Sequence, residues 1–221
     1  MSLLIINGSP KQDNSSSHAL IEDFLECFNT GSTEINTKIF NIFKRQDNEI
    51  AEYKFIKHLT QPSPCVLFVF PLYLDGIPSH LLSFMCSTAE YICSPRPISR
   101  ALKDRQQSKA KIYAIVNCGF YEGSQSGVAL QILENWARRI SCEWGGGVGV
   151  GACGGYSRFK SRAGHGVKKN IGKSLHRLSY NIKRGICAQN EYTGAAFPRI
   201  VYKSAAEIAF AKMASDNNVR L

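Results

Sequence analysis

Seven consecutive residues, Pro64-Cys65-Val66-Leu67-Phe68-Val69-Phe70, carry no charge and no polar amide side chain. A strand with one wet face alternates apolar and polar side chains. An unbroken apolar run of this length fits a strand covered on both faces, as in the interior of a parallel sheet. Comparable runs lie at 2–7 (SLLIIN), 111–117 (KIYAIVN) and 144–153 (WGGGVGVGAC). A further run at 34–42 alternates, with Ile35, Ile39 and Phe43 set among polar positions, which suits an outer strand. Helical patterns separate them at 17–29, 48–59, 78–92, 124–141 and 166–184. The last carries Val167, Ile171, Leu175, Leu178 and Ile182 on one stripe, and Pro78 suits a first helical turn. Strands alternating with helices predict an α/β, three-layer sandwich around a five-stranded, doubly wound parallel sheet.

That plan uses residues 1–185 as one domain and leaves 186–221 as a tail. Within the tail, 200–214 reads as one helix after Pro198, packing on the core or on a partner subunit. A hydrophobic fraction of 44% and a charged fraction of 20% are ordinary for a soluble protein with a real core. No apolar run approaches the roughly 20 residues that span a bilayer. The opening segment lacks a basic region and breaks at Asn7-Gly8, as a strand does and a signal peptide does not. A cytoplasmic location is therefore expected, with the Asn14-Ser15-Ser16 sequon unused. Eight cysteines are present without a C-x-x-C pair, so no metal site is expected and most should be buried thiols.

The net charge of +10 comes mainly from two stretches. Residues 94–111 hold six Lys and Arg against Asp104, and 158–184 hold nine with no acid. Such fields attract phosphates. Without a recognisable nucleic-acid-binding pattern, a solvated helix face is favoured over a nucleic-acid site.

In open parallel sheets, ligands bind beyond the carboxyl ends of the strands, where strand order reverses. Three loops at such ends are unusual. After the first strand, Asn7-Gly8-Ser9-Pro10-Lys11 leads to Ser15-Ser16-Ser17 at a helix start, a combination of hydroxyls, one cation and free helical N–H groups that suits a terminal phosphate. Capping serines that merely start a helix are the plainer reading, and the two are compatible. After the third strand comes Pro71-Leu72-Tyr73-Leu74-Asp75-Gly76, stiff and carrying an aromatic face. After the fourth comes Asn117-Cys118-Gly119-Phe120-Tyr121-Glu122. Gly149-Val150-Gly151-Ala152-Cys153-Gly154 matches the dinucleotide fingerprint in letters. It lacks the following helix and downstream acid, so these glycines are read as a close backbone approach.

The stretches NGSPK…NSSSHAL, PLYLDGIPSHLLSFM, NCGFYEGSQSGVALQILENWA and WGGGVGVGACGG, in that order, resemble the NAD(P)H-dependent FMN reductase family of the flavodoxin-like superfamily. The resemblance covers about residues 2–185. It implies that Ser9, Lys11, Ser15, Ser16 and Ser17 hold the FMN phosphate, with lysine at position 11 where the family commonly has arginine. It implies that Pro71, Leu72, Tyr73, Asp75 and Gly76 flank the ring on one side, and Asn117, Gly119, Phe120, Tyr121 and Glu122 on the other. NADH or NADPH would be the co-substrate. The acceptor would be a quinone, an azo or nitro compound, a ferric chelate or free flavin. No acid–base group is needed, and none of the five histidines is assigned a catalytic role. The rival readings are a flavodoxin-type electron carrier, disfavoured by the basic charge, and a non-catalytic binding module with a basic surface. A homodimer is expected, partly from the resemblance. The long connection from Ser94 to Lys109 and the alanine-rich tail would form its interface.

Overall fold

Alternation within the apolar strands sorts their side chains into two cores. In a computed structural model, which describes residues 2–11, 15–30, 35–42, 45–95, 100 and 109–219, β1 (Ser2–Asn7) sends Leu4 and Ile6 to one face and Leu3 and Ile5 to the other. β3 (Pro64–Pro71) divides Val66, Phe68 and Phe70 from Cys65, Leu67 and Val69 in the same way. The remaining strands are β2 (Asn36–Asn41), β4 (Lys111–Asn117), β5 (Glu143–Gly151) and β6 (Glu191–Gly194). All pair in parallel, in the order β2-β1-β3-β4-β5-β6.

The expected five-stranded sheet is thus corrected to six. The sixth strand is Glu-Tyr-Thr-Gly, without the apolar run that marks an interior strand, because it lies at an edge. Its approach is held by Asn190, whose Oδ1 accepts from Gly147 N–H and from the Trp144 indole, both at 3.0 Å.

One face of the sheet is covered by α2 (Arg45–Leu59), α3 (Ser79–Cys93) and α4 (Gly127–Arg139), the other by α1 (Ser16–Phe28) and α5 (Lys169–Arg184). The first core centres on Phe55, Phe68, Phe84 and Trp136. The Trp136 indole donates to Met85 O at 2.6 Å. The second joins Phe24 and Phe28 of α1 to the Ile171, Leu175, Leu178 and Ile182 stripe of α5. Cys27, Cys65, Cys118, Cys142 and Cys153 are buried thiols, while Cys86, Cys93 and Cys187 are exposed. Burial pushes Cys27 and Cys65 up to about 11 and Cys142 up to about 12, so these sulfurs stay protonated at neutral pH.

Most of the first basic stretch, residues 96–99 and 101–108, lies outside the described residues, and with it the expected role of that connection. Of the second, residues 169–184 form α5, on whose outer side Lys169, Lys173, His176, Arg177 and Arg184 are exposed, while Lys168 is buried. Arg177 pairs with Glu191, and the Arg184 guanidinium lies 5.0 Å from the Tyr180 ring centroid. Among the described residues, no helix is long and apolar enough to cross a membrane.

His58, near the end of α2, is buried and donates from Nε2 to Cys65 O at 2.9 Å. Burial holds its imidazole below the ordinary value of 6.5. The unfolded chain therefore binds this proton more readily. The stability contributed by keeping His58 neutral is present above 6.5 and lost as pH falls through it. Urea midpoints should drop between about pH 7 and about pH 5. His58→Gln should flatten part of that drop, and an unchanged profile would remove His58 as its source.

Candidate active site

β3 and β4 end level, with Pro71 opposite Asn117, and β1 stops two residues short of them, with Asn7 opposite Val69. The chain runs outward from β1 to β2 and then returns to β3 on the other side of β1. The loops after β1 and β3 consequently diverge and leave a crevice between them.

The first loop leaves β1 through Gly8, whose N–H donates to Val69 O at 2.9 Å. A Cβ on Gly8 would sit 2.7 Å from Leu81 Cδ2 and 3.1 Å from Phe70 Cβ, so a larger residue here would have to push the Leu81 side chain of α3 aside. The buried Ser9 is held by its N–H on Asn7 Oδ1 at 3.1 Å, and its Oγ accepts from Lys11 N–H at 3.3 Å. Ser15 is the N-cap of α1, accepting from His18 N–H at 3.0 Å. Ser16 Oγ donates to Cys153 O at 2.8 Å, and Ser17 Oγ donates to Asn117 Oδ1 at 2.7 Å. The helix start leaves the N–H groups of its first turn outside the intrahelical ladder, at the positive end of the helix dipole. Lys11, earlier in the same turn, is exposed.

The second loop is a tight reversal. Tyr73 and Gly76 exchange backbone hydrogen bonds at 3.1 and 3.0 Å. Between them Leu74 and Asp75 have φ of 47° and 61°, a left-handed pair that leucine adopts at a cost of about 1–2 kcal/mol. Tyr73, Leu74 and Asp75 are exposed, while Pro71, Leu72 and Gly76 are half-buried.

The third loop is tied to the other two by Asn117. Its carbonyl accepts from Leu72 N–H at 2.8 Å, while its side chain accepts from Ser17. Gly119 and Phe120 are exposed, and a Cβ on Gly119 would meet nothing within 4 Å. Tyr121 is half-buried and donates to Phe197 O at 2.8 Å. Glu122 pairs with Arg199 at 3.0 Å. A Cβ on Gly151 would land on Tyr121 O and 2.6 Å from Gly123 N. The glycines of β5 therefore serve the close approach expected of them. The buried Cys118 thiol lies beneath this loop, its pKa raised by burial.

All fifteen candidate residues thus fall on three adjoining loops or on the ends of the elements they join, at the carboxyl end of the sheet. Residues that local reading did not single out also reach these loops. His80 donates from Nε2 to Gly8 O at 3.0 Å. Phe197, Arg199 and Tyr202 come from the tail, and Tyr202 OH donates to Gly119 O. Behind the first loop, Lys168 Nζ lies 2.9 Å from Asp23 Oδ2, and Tyr156 OH donates to the same oxygen. This buried group fastens the segment after β5 to α1.

No family model matches the chain, and no curated protein matches it. Solved structures do. An FMN-dependent NADH-azoreductase from Bacillus anthracis, in complex with FMN, superposes with a TM-score of 0.52 at 15% identity, covering 82% of this chain and 99% of that one. An NADPH-quinone reductase from P. pentosaceus gives 0.52 at 14%, covering 84% and 97%. A Streptococcus pneumonia flavodoxin gives 0.51 at 8%, covering 84% and 100%. The fold is flavodoxin-like. The sequence resemblance and these likenesses agree on that architecture, and the flavodoxin-like switch point is the crevice described above.

Proposed function

We propose that this flavodoxin-like chain is an FMN-dependent oxidoreductase. In this reading it takes electrons from NADH or NADPH and delivers them to a small acceptor of the quinone, azo, nitro, ferric-chelate or free-flavin class. The observation that supports the reading is the junction at Asn117. Through it the serine turn, the Tyr73 reversal and the Gly119 loop form one crevice, with open space over Gly119. A helix N-terminus that follows a turn carrying Ser9 and Lys11 fits a terminal phosphate. Ser15 caps that helix, and Ser16 and Ser17 give their hydroxyl hydrogens to Cys153 and Asn117. These three serines then act by shaping the turn and offering main-chain N–H groups. Two loops bearing Tyr73, Phe120 and Tyr121 fit a flat ring system.

When bound, FMN supplies the redox chemistry, accepting a hydride from the nicotinamide and passing electrons to the acceptor. The chain's own residues bind, orient and cover. Residues 1–185 carry the cofactor loops, and 186–221 complete the sheet edge and add the terminal helix. A cytoplasmic homodimer belongs to the same reading.

The test is the visible spectrum of the purified chain with added FMN, recorded anaerobically before and after each nicotinamide. Bound flavin that bleaches with NADH or NADPH and recovers with a quinone or azo dye is expected. A folded chain that ignores FMN would overturn the proposal.

A further inference from the structure

α5 turns its whole apolar stripe inward. Ile171, Leu175, Leu178 and Ile182 are buried in the second core. At about 100° per residue, Lys169, Lys173, His176, Arg177, Tyr180 and Arg184 fall within an arc of about 100° on the opposite side. All six are exposed, Tyr180 to 53%. They run the length of a 16-residue helix, about 24 Å.

Helix stability does not account for this line of cations. Lys169, Lys173 and Arg177 stand at i, i+4 spacing, where like charges repel. The first turn holds no acid, and Lys169 sits at the positive end of the helix dipole. A surface that only meets water mixes its signs, yet residues 158–184 contain no acid at all. The carboxylates that pair with this stretch are Glu26 on Arg162, Asp23 on Lys168 and Glu191 on Arg177. Among the described residues, no carboxylate pairs with Lys169, Lys173 or Arg184.

We infer that this face of α5 binds the phosphate backbone of a single-stranded nucleic acid. Charge alone makes 158–184 a solvated face; the placement of Tyr180 among the cations changes that. The fixed cations supply the attraction, because phosphates release their condensed counterions when Lys and Arg replace them. Tyr180 selects the partner. Its ring is exposed in the middle of the arc, with the Arg184 guanidinium 5.0 Å from its centroid. Aromatic rings set among cations are platforms on which unstacked bases lie. A bilayer takes up a helix through an exposed apolar face, and the apolar face of α5 is already buried. An acidic peptide or a duplex would match the charge and leave the ring unused. Every described hydrogen bond, ion pair and ring contact of these six side chains stays on α5 or reaches Glu191. The face is therefore separate from the crevice, and the inference does not rest on the flavin reading.

The experiment is fluorescence anisotropy of a labelled single strand of about 20 nucleotides and mixed sequence, titrated with the full-length chain at about 25 to about 200 mM salt. Three phosphates neutralised by Lys169, Lys173 and Arg184 give a slope of log affinity against log salt of about −2. Lys173→Glu/Arg184→Glu should flatten that slope to about −0.7 and weaken binding at least about tenfold at low salt, with unchanged circular dichroism. Tyr180→Ala should weaken the single strand about tenfold, keep the slope and leave a duplex of the same length unaffected. Arg100→Glu/Lys109→Glu, in the other basic stretch, changes the net charge equally and should leave the slope in place. A wild type that ignores the strand at low salt overturns the inference. So does equal weakening by the two double variants, which would reduce the effect to net charge. Wild-type affinity in Tyr180→Ala, equal affinity for poly-glutamate, or capture by phosphatidylserine vesicles of a chain that leaves the strand free would each overturn the choice of partner.

Discussion

Lys168→Met will lower the stability of the folded chain by about 3–5 kcal/mol, the usual loss when one partner of a buried ion pair is removed. The effect is large because Asp23 and Lys168 are both nearly inaccessible, and because three groups share the charge. Lys168 Nζ reaches both carboxylate oxygens, at 2.9 and 3.2 Å, and also lies 4.6 Å from the Tyr156 ring centroid. Removing the ammonium leaves a carboxylate under the loop with only the tyrosine hydroxyl to satisfy it. The triple variant Asp23→Leu/Tyr156→Phe/Lys168→Met should recover most of the loss, since an apolar replacement of a buried pair is often neutral or better. Urea denaturation decides both points. A single variant within 1 kcal/mol of wild type would mean that water reaches Asp23 and that the group is no anchor.

Gly151→Ala is the second substitution with a large expected effect, and it acts on the site more than on the core. The added methyl collides with main-chain atoms, Tyr121 O and Gly123 N, which have no rotamer by which to withdraw. The 119–123 segment must lift off β5, taking with it Ala152 N–H→Phe120 O at 2.5 Å. Overpacking of this kind costs about 1–3 kcal/mol. The proposed flavin loop moves in the process, so FMN affinity should fall at least about tenfold while the chain still folds. Fluorescence titration of FMN against the variant measures this. Wild-type affinity would show that the loop after β4 does not carry the ring.

What local sequence could show was the interior of the sheet. Unbroken apolar runs identify β1, β3, β4 and β5, because a strand covered on both faces has no polar positions to alternate with. β6 escaped because an edge strand of four residues needs little apolar content, and its position depends on the Asn190 side chain holding Trp144 and Gly147. The site divides in the same way. The three loops are legible from their places after apolar strands. The commitments within them are not. Ser16 and Ser17 bond to Cys153 and Asn117, more than 90 residues on in the chain, and nothing in a serine run distinguishes a hydroxyl facing a ligand from one facing another loop. The tail's hold on Gly119 and Glu122 depended likewise on where a sixth strand delivers the chain.

Asn117 gives the crevice a fixed gauge. Its carbonyl grips the loop after β3 and its amide oxygen grips the start of α1, and it is itself buried at the end of β4. Three walls fastened to one post cannot part independently. Whatever occupies the crevice meets walls whose separation is set at the end of β4 rather than by either loop alone.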